Sequence, residues 1–358
     1  MNITLVCPVY NVKDYLEDTF SSIRHQTDKN FNIILVDDCS SDGSAQMCDK
    51  FAEEWKKYYE GEILVIHNER NKDASFSREV GILSATTPYI YILDSDDLIH
   101  PQLMEIGNKI INDNPTVEMI INKKINMKSE LLTSVKWLEL KEKNNLVKNI
   151  SNFSFAERLM EYGGSIANRF IKRDLILSLD YSCYKEKYPQ FYLDDGLVTD
   201  LIFHEVKEIY CIEAPLYYYR IRKGGIGSSA RNLEHQKEWT ESDKDLLDWY
   251  LKWDEKELYK RKLVGYIQNI MKYYYIVKSC KDNDPAKNAF ISEEFTKTKK
   301  QIKEHNCNIG ICNKAMIFLF TINKNLWCTF VANIYFNLIQ DYKRQCNANN
   351  DYTFLLEY

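Results

Sequence analysis

Residues 89–97 read YIYILDSDD, a run of aromatic and β-branched residues from Tyr89 to Leu93 followed at once by Asp94, Ser95, Asp96 and Asp97. The run has the composition and length of a buried strand, and its end delivers three carboxylates to one place. Similar runs stand at ITLVC (Ile3 to Cys7), FNIILV (Phe31 to Val36) and EILVI (Glu62 to Ile66), and VEMII (Val117 to Ile121) adds a fifth. Between them, Tyr15 to His25, Ala45 to Tyr58 and Ser75 to Ala85 each carry an apolar face and the length of a crossover helix. This alternation predicts an α/β fold, Rossmann-like, with a mostly parallel central sheet flanked by helices.

The chain has 358 residues, 45% of them hydrophobic, which suffices for a large core and allows two domains. Its formal net charge of -5 argues against a nucleic-acid-binding surface, so no nucleic acid partner is expected. Ten scattered cysteines, in a sequence that opens MNITLVCPVYN without a charged leader, fit reduced thiols and a cytoplasmic location, at or near the inner face of the plasma membrane. His305, Cys307 and Cys312 lack a fourth ligand at a recognised zinc spacing.

The middle of the chain is less regular. Phe153 to Tyr162 reads as a helix, Ala167 to Ile171 as a strand, and Asp195 to Val206 as an amphipathic helix. EIYCIE and LYYYRI read as two further strands, and KGGIGSS after them has the composition of a lid. From about Asn232 the strand signal ends, so a domain of residues 1–230, with halves of about 1–122 and about 123–230, is expected to precede an all-helical C-terminal region, 231–358. Residues 256–350 carry 16 Lys and Arg against 7 Asp and Glu, a local excess of +9. The apolar, aromatic stretch Asn313 to Arg344 reads either as the packed core or homodimer seam of a helical subdomain, or as a peripheral membrane contact drawn to anionic lipid. Aromatic stripes at helical spacing favour the first.

In an open parallel sheet, ligands bind outside the carboxyl ends of the strands. Those ends are Pro8-Val9-Tyr10-Asn11, Asp37-Asp38-Cys39-Ser40-Ser41-Asp42-Gly43-Ser44 and Asp94-Ser95-Asp96-Asp97. So many acids at one edge repel one another unless a cation lies among them. Oxygen donors of this kind suit Mg²⁺ or Mn²⁺, which takes one or two protein carboxylates and completes its shell with water and phosphate oxygens. A diphosphate ligand is therefore expected. Neither a P-loop nor a G-x-G-x-x-G motif is present to hold phosphates on backbone amides.

Taken together, CPVYN (7–11), VDDCSSDGS (36–44), NKDASFSREVGI (71–82), YILDSDD (91–97), LDDGLVTDLIF (193–203) and PLYYYRIR (215–222) make the sequence resemble family 2 glycosyltransferases, the inverting bacterial enzymes of the glycosyltransferase A (GT-A) fold. The resemblance covers about residues 1–229. It implies a nucleotide-sugar donor, UDP-linked, and a glycan or lipid-linked glycan acceptor, with transfer of a hexose or N-acetylhexosamine. It places the base against Pro8 and Tyr10, with Asp38 or Asp37 on a ring N–H and Arg78 near base and phosphates. In the D-x-D motif Asp94-Ser95-Asp96 it gives the ribose to Asp94 and the metal to Asp96, with Asp97 as a second metal residue in reserve and Ser95 on the donor side. Arg220, Arg222, Ser228 and Ser229 fall where the diphosphate is held. His235 is either a further metal ligand or a surface histidine. Asp195 of Asp194-Asp195 is implied as the base.

The sequence departs from the pattern at Cys39, where glycine is usual, at Asp73-Ala74, where a glycine-rich pair is usual, and at Glu79, where asparagine is common. Asp194 replaces a glutamate. Two rival readings are a nucleotide-binding partner subunit without turnover and a sugar-phosphate nucleotidyltransferase. Intact Asp96 and Asp195 argue against the first, and the lack of a glycine-rich basic N-terminal loop argues against the second.

Overall fold

Strand β1 (Ile3–Val9) is buried along its whole length, as expected of a parallel strand covered on both faces. It is the spine of the fold. The computed structural model describes residues 1–128, 136–137, 146–189, 192–193, 196–221, 233–279, 284–308, 311–324, 327 and 356–357. The chain divides into two compact units, Met1–Arg222 with Asn347–Tyr358, and Lys223–Cys346.

In the first unit, β1 is followed by β2 (Asn32–Asp37), β3 (Ile63–His67), β4 (Tyr89–Ile92), β5 (Leu98–Ile99), β6 (Met119–Lys128), β7 (Lys136–Trp137), β8 (Val147–Asn149), β9 (Arg169–Lys172), β10 (Ile209–Ile221) and β11 (Leu356–Glu357). Helices α1 (Lys13–Arg24), α2 (Ser44–Trp55), α3 (Asp73–Ser84) and α4 (Leu103–Asp113) come first, then α5 (Phe155–Tyr162), α6 (Arg173–Ser178), α7 (Ser182–Lys187) and α8 (Leu197–Glu205). Among the described residues the main sheet has the order β3-β2-β1-β4-β9-β6-β10-β5, with β8 added on β10, and β7 pairs separately with β11. Strands β3, β2, β1 and β4 run parallel, with Val6 opposite Ile34 and Ile92. Strand β9 lies antiparallel between β4 and β6. The result is a mixed, mostly parallel sheet flanked by helices.

Alternation along each strand sends side chains to opposite faces. Leu5, Cys7, Ile33, Leu35, Tyr91 and Leu93 join one core cluster with Leu16 and Phe20 of α1, Phe51 of α2 and Ile106 of α4. Val6, pointing the other way, meets α3 at Gly81, where a Cβ would stand 2.3 Å from Val6 Cγ1. Only a glycine lets α3 approach β1 this closely, and the approach carries Ser75, Arg78 and Glu79 to the strand ends.

EIYCIE and LYYYRI prove to be one strand, β10, with register shifts between Ile212 and Pro215 and between Pro215 and Tyr217. Proline has no N–H for the ladder, so pairing shifts around it instead of stopping. The far half of β10 thereby reaches β5, with Tyr217 opposite Ile99.

The second unit contains α9 (Leu233–Lys252), α10 (Lys256–Ser279), α11 (Pro285–Glu304) and α12 (Ile311–Ile322). Buried Glu294 on α11 accepts Lys244 Nζ at 2.8 Å and Tyr266 Oη at 2.7 Å, so three helices share one paired carboxylate. Among the described residues no helix is long and apolar enough to cross a membrane.

Replacing Gly81 by Ala inserts a methyl group into the α3–β1 contact, and overpacking of this kind costs about 1–3 kcal/mol. Chemical denaturation of Gly81→Ala is expected to show a correspondingly lower midpoint; an unchanged midpoint would mean that α3 is not held this close.

Candidate active site

The turn after β4 is held from three directions. Thr19 Oγ1 on α1 stands 2.9 Å from the Ser95 carbonyl and 2.8 Å from that of Asp97, sharing its proton between them. From β10, the Arg220 amide donates to Asp97 Oδ1 at 2.7 Å and Arg220 Nε to the Asp96 carbonyl at 2.6 Å. Tyr217 Oη donates to Asp97 Oδ2 at 2.7 Å and accepts the Asp94 amide at 3.3 Å. From α3, Arg78 Nη2 pairs with Asp94 Oδ1 at 3.0 Å.

These contacts sort the three acids. Asp97 has no exposed surface and both its oxygens are engaged. It clamps β10 to the turn and is closed to an incoming ion, which corrects its expected place beside the metal. Burial, then the charges of Asp96 and Asp94, push its carboxyl well above the usual range. Asp94 and Asp96 are half-buried and keep part of their surface exposed. Arg220 is likewise not an open diphosphate ligand: its side chain is only 1% exposed and pairs with Asp18 of α1 at 2.9 Å, with the guanidinium over the Tyr15 ring.

On the other side of β1, two loops interlock. The Asn11 amide donates to Ser40 Oγ at 3.1 Å, Asn11 Oδ1 accepts the Ser41 amide at 2.9 Å, and Asp42 Oδ2 accepts the Lys13 amide at 2.9 Å. Pro8 is buried in β1 opposite Val36, whereas the Tyr10 ring is 47% exposed. Of the two residues expected beside a base, only Tyr10 offers an open surface. Asp38 is buried and accepts Asn68 Nδ2 at 2.7 Å and the Lys72 amide at 3.0 Å. Asp37 accepts the Ser40 amide at 3.2 Å and pairs with His67 at 3.1 Å. Cys39 and Asp73, where glycine is the usual residue, have φ of 63° and 69°. The backbone keeps the left-handed shape that favours glycine, at a cost of about 1–2 kcal/mol for an L side chain.

Helix α3 connects this edge to the chain around Leu193. Arg78 Nη1 donates to the Leu193 carbonyl at 3.1 Å while Nη2 holds Asp94, so one guanidinium spans the strand end and the chain just ahead of Asp194-Asp195. Asp194, Asp195, Arg222, Ser228, Ser229 and the KGGIGSS segment lie outside the described residues, as does the side chain of His235.

Among the described residues no three His, Cys, Asp or Glu side chains form a ready-made metal cage. The donors present fit a hard cation held by one carboxylate, Asp96, with the remaining positions left to water and phosphate oxygens.

Residues 4–165 match the family model described as Glycosyl transferase family 2. Over that stretch the chain is similar to the family 2 glycosyltransferases. It is 28% identical over 232 residues to glycosyltransferase GlyA of Streptococcus pneumoniae, an alignment covering 63% of this chain and 31% of GlyA. It is 24% identical over 249 residues to the minor teichoic acid biosynthesis protein GgaB of Bacillus subtilis, covering 66% of this chain and 25% of GgaB. The chain thus spans about a third or less of these relatives. The crystal structure of S. aureus TarS 1-349 in complex with UDP superposes with a TM-score of 0.54 at 13% identity, covering 85% of this chain and 90% of that one. The same TarS fragment in complex with UDP-GlcNAc gives 0.51 at 14%, covering 85% and 91%. This likeness shows the GT-A fold.

Within the first unit, sequence reasoning missed Thr19, Asp18, Tyr217, Ser75 and Tyr192, which hold the site from behind. Tyr217 stood within the quoted PLYYYRIR, but an alternating strand does not announce which of three tyrosines faces an acid. Nothing local marks Asp18 or Thr19, whose partners are 202 and 76 to 78 residues away.

His67 ends β3 between two acids, with Nε2 3.0 Å from Asp49 and Nδ1 3.1 Å from Asp37. Hydrogen bonds to Asp49 and then Asp37 raise its pKa above the ordinary 6.5. A raised folded value stabilises the fold fully below the unfolded value and is lost as pH rises through the folded one. The stability gap between wild type and His67→Gln is therefore expected to be largest below about pH 6 and to shrink in alkaline buffer. A gap that widens with pH in denaturation curves would contradict the assignment.

Proposed function

We propose that this chain transfers a sugar from a UDP-linked donor to a hydroxyl of a polysaccharide or lipid-linked oligosaccharide, with inversion at the anomeric carbon. The observation that carries the reading is the Arg78 bridge. It ties Asp94, at the D-x-D turn, to the Leu193 carbonyl. Asp195 follows Leu193 by two residues, at most about 7.6 Å from Cα to Cα. The donor carboxylates and the base then belong to one cleft. The UDP and UDP-GlcNAc complexes of the similarly folded TarS support a uridine diphosphate donor, and the teichoic acid role in the name of GgaB supports a cell-envelope polymer as acceptor.

In this reading the exposed Tyr10 ring stacks on the base, worth about 1–3 kcal/mol, and Asp94 receives the ribose. Asp96 holds Mn²⁺ or Mg²⁺, which when bound neutralises charge on the departing diphosphate. Asp195 takes the proton of the acceptor hydroxyl as its oxygen bonds to the anomeric carbon from the face opposite the nucleotide, and the bond from that carbon to UDP breaks. A carboxylate is a weak base for an alcohol, so Asp195 acts late and by position, helped by like-charge repulsion from Asp194.

The test is a panel of UDP-hexoses and UDP-N-acetylhexosamines with Mn²⁺ or Mg²⁺ and glycan acceptors, monitored for UDP release. Asp195→Asn is expected to lower kcat by about 10²–10⁴-fold with donor affinity unchanged, and Asp96→Ala to abolish metal-dependent release. Wild-type turnover in Asp195→Asn would remove the base assignment, and release of pyrophosphate in place of UDP would overturn the reaction class.

A further inference from the structure

Helix α3 sends a second group of contacts away from the nucleotide loops. Ser75, Arg78 and Glu79 lie three and four residues apart and so share one helix face. Ser75 Oγ accepts the Leu193 amide at 3.2 Å, while Arg78 donates to the Leu193 carbonyl at 3.1 Å. Both backbone groups of one residue are thus fixed by one helix. Glu79 Oε2 accepts Tyr192 Oη at 2.7 Å and Lys185 Nζ at 2.6 Å. The Tyr192 ring is stacked on Tyr181 at 5.9 Å and lies under Lys185 Nζ at 5.5 Å.

Glu79, Tyr192 and Leu193 are all buried. Burying a carboxylate is costly unless it is paired and hydrogen-bonded. Hydrophobic contact alone could hold α3 to this segment without an acid, but not in one fixed register. A Tyr–Glu–Lys network permits few arrangements, and it grips the two residues directly before Asp194-Asp195.

We infer that Glu79 is a positioning residue: acting through Tyr192 and Lys185, it fixes the segment that leads into Asp194-Asp195 and so governs acceptor deprotonation, not donor binding. The inference rests on the transferase reading given above. A displacement of about 1 Å at a reacting group can cost roughly 100-fold in rate, so the expected signature lies in kcat.

The test compares wild type with Glu79→Ala, Glu79→Gln and Tyr192→Phe by three measurements: UDP affinity by calorimetry, kcat and acceptor KM for transfer, and amide exchange of a peptide containing Leu193. Glu79→Ala and Tyr192→Phe are expected to lower kcat by about 10–100-fold, to leave UDP affinity within about twofold, and to speed exchange at Leu193. Glu79→Gln keeps an acceptor for Tyr192 and is expected to recover most of the rate. The double variant Glu79→Ala/Tyr192→Phe should be no slower than either single one, since both break the same link. Wild-type kcat in Tyr192→Phe, or a parallel loss of UDP affinity and kcat, would overturn the inference. Should the wild type release UDP from no donor, the transferase reading fails by itself. Exchange at Leu193 then decides whether Glu79 holds the segment, and unchanged exchange in Glu79→Ala refutes it.

Discussion

Three carboxylates within four residues, Asp94, Asp96 and Asp97, are forced together at the end of a buried strand, and their mutual repulsion has to be countered. The protein's own groups engage them. Asp97 is absorbed into the fold by Tyr217 and the Arg220 amide, and Asp94 is paired with Arg78. Asp96 is half-buried, and its carbonyl is held by Arg220. In the transferase reading proposed above, a divalent cation and a diphosphate meet at this turn and offset one another's charge and that of the acids.

The three supporting elements divide this work. Helix α1 fixes the turn through Thr19 and balances Arg220 through Asp18, while β10 supplies Tyr217 and Arg220 from the far side. Helix α3 links the strand end to residues 192–193, with Arg78 on Asp94 and Ser75, Arg78 and Glu79 on Tyr192 and Leu193. Its closeness to β1 depends on Gly81, which ties the packing of the core to the spacing of the site.

The parallel half of the sheet was legible because β1 to β4 are short apolar runs separated by amphipathic segments of crossover length, and that pattern survives without tertiary information. Strand β5 was not legible, since two residues carry no periodicity, and β10 read as two strands because Pro215 interrupts the local signal although pairing continues past it. The same limit applies to the site. Position after a strand identified Asp38, Asp94, Asp96 and Asp97 as members of one edge, yet it could not tell a half-buried carboxylate from a fully buried one. Asp97 and Arg220 were read as ligand-facing, and what turns them inward is contact with Tyr217 and Asp18, each far away in sequence. The glycine positions gave the opposite result: Cys39 and Asp73 departed from the expected residue while their backbones kept the left-handed conformation.

The central claim, that Asp96 shares a divalent cation with a nucleoside diphosphate, is tested most directly by titrating Mn²⁺ into the protein with and without UDP and following free Mn²⁺ by electron paramagnetic resonance. The account predicts weak Mn²⁺ binding alone, binding at least about tenfold tighter with UDP, as linkage between two ligands typically gives, and loss of that enhancement in Asp96→Asn. Equal Mn²⁺ affinity with and without UDP, or an enhancement undiminished in Asp96→Asn, would contradict it.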